Sequence, residues 1–168
     1  AMDAEMIELL TRAARSAEAV LARLEPAGYD QPSPCPEMTV AQVASHLIGG
    51  IRGFAEVGEG GELRFDADLD PDLGEESPAG VYRTAIDRLL AAFAGPGRLD
   101  WTYSMPWGPT TGVQLLGFEL IETVVHSWDI ARGLGVELPV DDDVVRATLA
   151  GARLWVDDSV RVPGMFGP

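Results

Sequence analysis

Five stretches of the chain repeat their apolar residues every three to four positions, and proline, glycine or a polar capping residue marks off each one. That period puts the apolar side chains on one face of a helix, and a chain made of such faces must stack helices on one another. From Asp3 to Leu24 the stripe is Ile7, Leu10, Ala14, Ala17, Leu21 and Leu24, and Pro26 and Gly28 stop it. The following Gln31-Pro32-Ser33-Pro34-Cys35-Pro36 cannot continue a helix. A second helix begins at Thr39, with Gln42 at capping-box spacing, and buries Val40, Val43, Leu47, Ile51 and Phe54. Gly58 to Glu76, rich in glycine and acid, reads as a long solvated loop.

Ser77-Pro78 opens a third helix as cap and first helical residue. Val81, Ile86, Leu89, Leu90 and Phe93 face its core, and Gly95-Pro96-Gly97 ends it. Between Leu99 and Thr111 the alternation of Trp101, Tyr103 and Met105 fits a short strand or extended loop, with Trp107-Gly108-Pro109 as a turn. Thr111 and Gln114 repeat the capping-box spacing and start a fourth helix that runs to about Arg132, with Gly133 and Gly135 as its stop. Asp141 or Asp142 caps a last helix through about Val156. The expected fold is all-α: a four-helix bundle with an added C-terminal helix and a short extended segment between helices three and four. No internal repeat or change of composition divides it, so residues 2–168 read as one domain, and Ala1 ahead of Met2 reads as a residue left by cloning.

The formal net charge of −15 repels nucleic acid and anionic membrane surfaces, which leaves a small molecule as the expected partner. A homodimer is compatible with everything in the chain. Cys35 is the one cysteine, so no internal disulfide forms. No apolar run is long enough to span a bilayer, and Glu5, Glu8, Arg12 and Arg15 are incompatible with a signal-peptide core. A cytoplasmic location is the resulting expectation.

The chemistry centres on two histidines, His46 and His126, each inside an expected helix. Glu122 lies four residues before His126, so the two side chains stack on one helix face and can grip one metal ion. His46, on another helix, can supply a third ligand, as bundle cores often do. Two plainer arrangements compete. Glu119, Glu122, Thr123, His126, Ser127 and Asp129 fall on one side of the fourth helix and can be its solvent face, while His46 can be a satisfied core histidine. Against these, Leu116, Leu120, Ile121, Val124, Val125 and Trp128 cover a wide apolar arc, as in a buried helix. Gly49, Gly50 and Gly53 beside His46 point either to open space or to close helix packing.

Ser33-Pro34-Cys35-Pro36, Thr39-Val40 and Ser45-His46-Leu47 resemble the start of the metal-binding domain of mycothiol-dependent maleylpyruvate isomerases, within the wider DinB-like group of helical bundles. Glu122-Thr123-Val124-Val125-His126-Ser127-Trp128-Asp129-Ile130-Ala131 resembles the second half of that pattern. Pro106-Trp107-Gly108-Pro109 resembles the turn before the family's metal helix, and Met165-Phe166-Gly167-Pro168 its C-terminal run. The resemblance implies a DinB-like bundle whose metal ligands are His46, Glu122 and His126. Two departures stand out. Glu37-Met38 replaces the Gly-Trp that often precedes the Thr-Val cap, which is expected to alter the pocket wall. The isomerase also carries a further C-terminal domain that this chain is not expected to contain, so the resemblance carries the metal domain further than it carries isomerisation.

Two histidines and a carboxylate leave coordination positions open for an outside ligand. Zinc suits this donor set for one divalent ion, with nickel, iron and manganese left open. Mycothiol or another small thiol is the outside ligand that the resemblance implies, since a metal deprotonates a thiol and makes it a nucleophile. Asp129, one turn past His126, reads either as a residue that orients a ligand or as a surface acid or arginine partner, and Trp107 and Arg52 are candidate pocket residues. Cys35 reads as a bystander thiol, with no basic neighbour in sequence to activate it. Three functions remain open at this point: a thiol-dependent transferase or isomerase-related enzyme, a non-catalytic metal module, and a biosynthetic enzyme that uses the metal as a Lewis acid. Because ligating histidines must be neutral, metal affinity is expected to fall between roughly pH 7 and 5.

Overall fold

In the computed structural model, which describes residues 2–63, 73 and 76–155, five helices and a small hairpin follow one another. They are α1 (Met2–Leu21), a 3-10 turn (Pro26–Gly28), α2 (Val40–Gly58), α3 (Pro78–Phe93), β1 (Thr102–Met105), β2 (Gly108–Thr111), α4 (Gly112–Leu134) and α5 (Asp142–Trp155). The helical bundle therefore stands as expected, with a two-stranded sheet as the extended segment. Most of the loop expected before α3, the end of the last helix at Val156 and the run Met165-Phe166-Gly167-Pro168 lie outside the described residues.

α1 packs against α3 and α4, and α2 packs against the same two helices. The order around the core is thus α1, α4, α2, α3, with α5 laid on α4 and α1. The core is where the stripes meet: Leu10, Ala17 and Leu21 of α1, Val43, Leu47 and Ile51 of α2, Ile86 and Leu89 of α3, and Leu115, Leu116 and Ile130 of α4. Among the described residues no helix is long and apolar enough to cross a membrane.

Both capping boxes form. Thr39 and Gln42 exchange side-chain and backbone hydrogen bonds at the start of α2, and Thr111 and Gln114 do the same at the start of α4. Ser77 caps α3 by accepting from the Gly80 amide. These caps fix the first residue of each helix, and so fix which face every later residue occupies.

The structure corrects three local expectations. The turn lies at Pro106-Trp107, not at Trp107-Gly108-Pro109, because Gly108 already pairs with Met105 as the first residue of β2. The second strand was hidden because Thr110 and Thr111 give no apolar alternation and Thr111 doubles as the cap of α4. Gly133 does not end α4, which runs on to Leu134, with Gly135 in the left-handed conformation at φ 69° as its cap. Gly133 is instead a point of close approach: a Cβ there would collide with Val40 Cγ2 and lie 3.0 Å from the Pro32 carbonyl oxygen. The third correction concerns the apolar arc of α4. Val125 and Trp128 are about half exposed, at 45% and 48%, whereas Glu119, Thr123, Ser127 and Asp129 are buried. Trp128 lies beneath the Arg132 guanidinium, 5.8 Å from its ring centre, which gives an exposed indole a cationic cover.

The proline-rich connection is held as tightly as a regular element. The Val40 amide bonds the Gln31 carbonyl at 2.9 Å and the Ser33 amide bonds the Met38 carbonyl at 3.2 Å. Ser33 Oγ donates to the Met38 carbonyl at 2.8 Å and accepts from the Cys35 amide at 3.1 Å. Closing that turn puts Glu37 at φ 64°, the left-handed region that costs an ordinary side chain roughly 1 kcal/mol or more. Glu37 stands where the resembling family often has glycine, so the departure is first a matter of backbone strain.

Two stability tests follow. Glu37→Gly is expected to raise stability by about 1 kcal/mol, read as a higher midpoint in urea at unchanged slope. Gly133→Ala is expected to lower stability by about 1–3 kcal/mol, because a methyl must push the loop backbone aside. Gly50→Ala in α2, whose Cβ would only touch Glu119 Oε1 at 3.6 Å, is expected to be neutral or to gain up to about 1 kcal/mol. Equal losses at both glycines would contradict the close approach assigned to Gly133.

Candidate metal centre

The cap at Thr39 places His46 two turns into α2, and the cap at Thr111 places Glu122 and His126 in the middle of α4. Because α2 packs against α4, the three side chains meet. Glu122 Oε2 lies 2.9 Å from His126 Nε2 and 3.8 Å from His46 Nε2. The two imidazoles sit edge to face with ring centres 5.1 Å apart. One ligating atom from each residue falls within 4.8 Å of the other two, a spacing that a single cation can span.

The surroundings grade from water to core. The His46 side chain is 51% exposed, Glu122 28% and His126 12%. His46 is therefore not a core histidine, and the polar face of α4 is not a solvent face. Asp129, 6% exposed, places Oδ2 3.2 Å from His126 Nδ1, so the ring is clamped at both nitrogens by carboxylates. Burial pulls the imidazole toward its neutral form, but the hydrogen bonds to Asp129 and Glu122 outweigh it and lift the pKa to about 9. A pKa raised that far favours a proton on each ring nitrogen at neutral pH. The Nδ1 proton is held by Asp129, and the Nε2 proton occupies the place a metal would take.

Two residues enter the site that sequence reasoning passed over. Cys35 Sγ, Asp129 and His126 form a second close group, with one ligating atom from each within 4.8 Å of the others. Burial first, then the Asp129 carboxylate and the charge of Glu122, push the Cys35 thiol up from its ordinary value. The expectation of an unactivated thiol agrees with this, but Cys35 stands at the centre and not off to one side. Glu119, one turn before Glu122, is 2% exposed, and its Oε2 has no hydrogen-bond partner among the described residues. Burial and the negative charge of Glu122 push its carboxyl well above the usual carboxylate range, with His126 opposing. Glu119 belongs to the polar stripe visible in the sequence; only its inward direction was missing.

The pocket candidates fare differently. Trp107 donates from Nε1 to Thr110 Oγ1 at 2.8 Å and packs on Phe54 and Phe118, with ring centres 6.3 and 5.8 Å away. Phe118 lies one turn before Glu122, so Trp107 belongs to an aromatic cluster roughly 6 Å further along the helix axis. No hydrogen bond or ion pair among the described residues joins Arg52 to the histidines. Six positions past His46, Arg52 leaves α2 about 120° round the helix from it.

Comparison with known proteins bears on the family and the fold. The family model of the mycothiol maleylpyruvate isomerase N-terminal domain matches residues 10–131. Two uncharacterized proteins of Mycobacterium tuberculosis, from strains CDC 1551 / Oshkosh and ATCC 25618 / H37Rv, are each 27% identical over 154 residues, covering 91% of this chain and 80% of theirs. Among solved structures, a mycothiol-dependent maleylpyruvate isomerase superposes with a TM-score of 0.65 at 14% identity, over 88% of this chain and 68% of that one. A DinB-like protein from Bacillus subtilis superposes with a TM-score of 0.62 at 14% identity, over 80% of this chain and 96% of that one. The two structures share the bundle with this chain, and the family match spans α2 and most of α1 and α4, taking in His46, Glu122 and His126. The chain belongs to the mycothiol maleylpyruvate isomerase N-terminal domain family.

Proposed function

We propose that the protein is a metal-dependent enzyme that uses a low-molecular-weight thiol of the mycothiol type, as an S-transferase or isomerase-related activity on a small molecule. The observation that carries this reading is the convergence of His46, Glu122 and His126 within 4.8 Å. The donor set fits a divalent ion, and zinc fits it well: two imidazole nitrogens, His126 Nε2 once its proton is displaced, and one carboxylate, with the second nitrogen of His126 already tied to Asp129. Such an ion would supply Lewis acidity and an open position at which an outside thiol ionises. The chain's own residues do the rest. His46 and Glu122 reach the centre from the solvent side, so a small molecule can approach past them. His126 is held on the buried side, where its clamp keeps Nε2 directed at Glu122. The family supports thiol use in particular, since the solved isomerase of this fold is mycothiol-dependent.

Elemental analysis of the purified protein is expected to give one divalent ion per chain. His46→Ala and His126→Ala are each expected to lose most of it, and Glu122→Gln to bind it more weakly. Full metal retention in both histidine variants would remove these residues as ligands. Thiol transfer from mycothiol to a small electrophile is expected to track metal occupancy. Turnover that survives complete metal removal would refute metal catalysis. Metal binding with no turnover for any thiol would favour a non-catalytic module.

The pH dependence follows from the clamp on His126. Its pKa of about 9 means that the metal must displace a proton from Nε2 at neutral pH. Protons therefore compete throughout the range below about 9, and affinity is expected to fall about tenfold for each unit of acidification. The window expected from an ordinary histidine, pH 7 to 5, moves upward accordingly. Competition titrations with a chelator of known pH behaviour measure this, and an affinity that stays constant from pH 8 to 6 would contradict it.

A further inference from the structure

We propose that Cys35 is a positioning residue of the metal centre: its thiol donates to the Asp129 carboxylate, and through Asp129 it holds His126 in the orientation that presents Nε2 to the metal. This rests on the metal reading of His46, Glu122 and His126. The first support is proximity. Cys35 Sγ lies within 4.8 Å of both Asp129 and His126, although some ninety residues separate them in the chain. Asp129 is 6% exposed, and a carboxylate so far from water needs donors from the protein. His126 Nδ1 is one donor at 3.2 Å, and the Cys35 thiol faces the same carboxylate as a second.

The second support is how the loop is built. Ser33 Oγ pins the Cys35 amide at 3.1 Å and the Met38 carbonyl at 2.8 Å. Gly133, one turn past Asp129, lets the Pro32-Ser33 backbone lie directly on α4. The left-handed turn at Glu37 closes the loop. A strained turn and a glycine contact, both spent on seating one short loop, bring its thiol to Asp129. The third support is chemical: a thiol carries an S–H that can donate, and an ionised carboxylate can only accept.

The experiment compares zinc affinity, by chelator competition, with the visible spectrum of cobalt-substituted protein. The proteins are wild type, Cys35→Ala, Cys35→Ser, Asp129→Asn and the Cys35→Ala/Asp129→Asn double variant. Asp129→Asn is expected to weaken zinc binding about 10- to 100-fold. Cys35→Ala is expected to weaken it by about threefold to tenfold and to shift the cobalt bands. Cys35→Ser, whose hydroxyl also donates, is expected to restore both. In the Asp129→Asn background Cys35→Ala is expected to do nothing more, because its effect runs through Asp129. Three results overturn the proposal: Cys35→Ala that changes only the melting temperature, an undiminished effect of Cys35→Ala without Asp129, or a second metal equivalent that disappears in Cys35→Ala. If wild type takes up no metal, the metal reading fails by itself. The contact is then read in the metal-free protein from the NMR resonance of the His126 Nδ1 proton. Cys35→Ala must move that resonance and Cys35→Ser must not; an unmoved resonance in Cys35→Ala overturns the proposal.

Discussion

The interaction on which the site depends is the double clamp on His126. An imidazole at 12% exposure, with a carboxylate on each nitrogen, is a costly group to place inside a bundle. It holds because α4 supplies both partners itself, Glu122 four residues earlier and Asp129 three residues later. Helix geometry stacks the three groups, and neighbouring elements exclude water from one side and bring Cys35 up to the same carboxylate. The rest of the polar stripe obeys the same demand for partners. Thr123 meets the buried Tyr82 hydroxyl at 3.1 Å, and Ser127 bonds back to the Val124 carbonyl at 3.2 Å. Among the described residues Glu119 has no such partner for Oε2, and burial with the charge of Glu122 pushes its carboxyl well above the usual carboxylate range.

Turning this stripe inward forces the opposite face outward. Val125 and Trp128 lie half exposed on a helix whose buried residues include Glu119 and Asp129, the reverse of ordinary amphipathic design. Toward both ends α4 behaves conventionally, with Leu115, Leu116, Ile130 and Ala131 buried. The reversal is confined to the turns around Glu122, His126 and Asp129. A stretch that gives up apolar burial where the bundle could have used it is under a chemical constraint as well as a packing one. The same polarity step underlies the gradient from exposed His46 to buried Asp129, with one end of the group at the solvent and the other held among buried partners.

The residues that fix helix starts were the legible part. Thr39 with Gln42, Thr111 with Gln114, and Ser77 with Pro78 carry their geometry in three or four consecutive positions, and all three form. Spacing also carried the pair Glu122 and His126, because i, i+4 stacking is a property of one helix; His46, on another helix, joined them chiefly through the family resemblance. The hairpin, the packing role of Gly133 and the placement of Cys35 were not legible. Each depends on where a distant segment passes: the pairing of β2 with β1, the crossing of the Pro32 loop over α4, and the approach of that loop to Asp129. Periodicity also could not tell which way the stripe on α4 faces. It gives an angle about the helix axis, and the direction of the core comes only from the other helices.

The division of labour between the two helices has a chemical consequence. α4 contributes a preassembled pair and its second carboxylate, whose mutual distances are fixed by a single backbone. His46 comes from α2, so the distance that closes the triad is set by packing between helices and is the longer one, 3.8 Å against 2.9 Å to the same Glu122 oxygen. Packing distances respond to core volume, whereas spacings within one helix hardly do. The glycine at position 50, one turn from His46 and facing Glu119, lies at that adjustable contact. In such a design the buried half of the site keeps its geometry whatever the outer half binds. On the metal reading proposed above, movement of His46 with α2 is the degree of freedom by which the centre would adapt to different outside ligands.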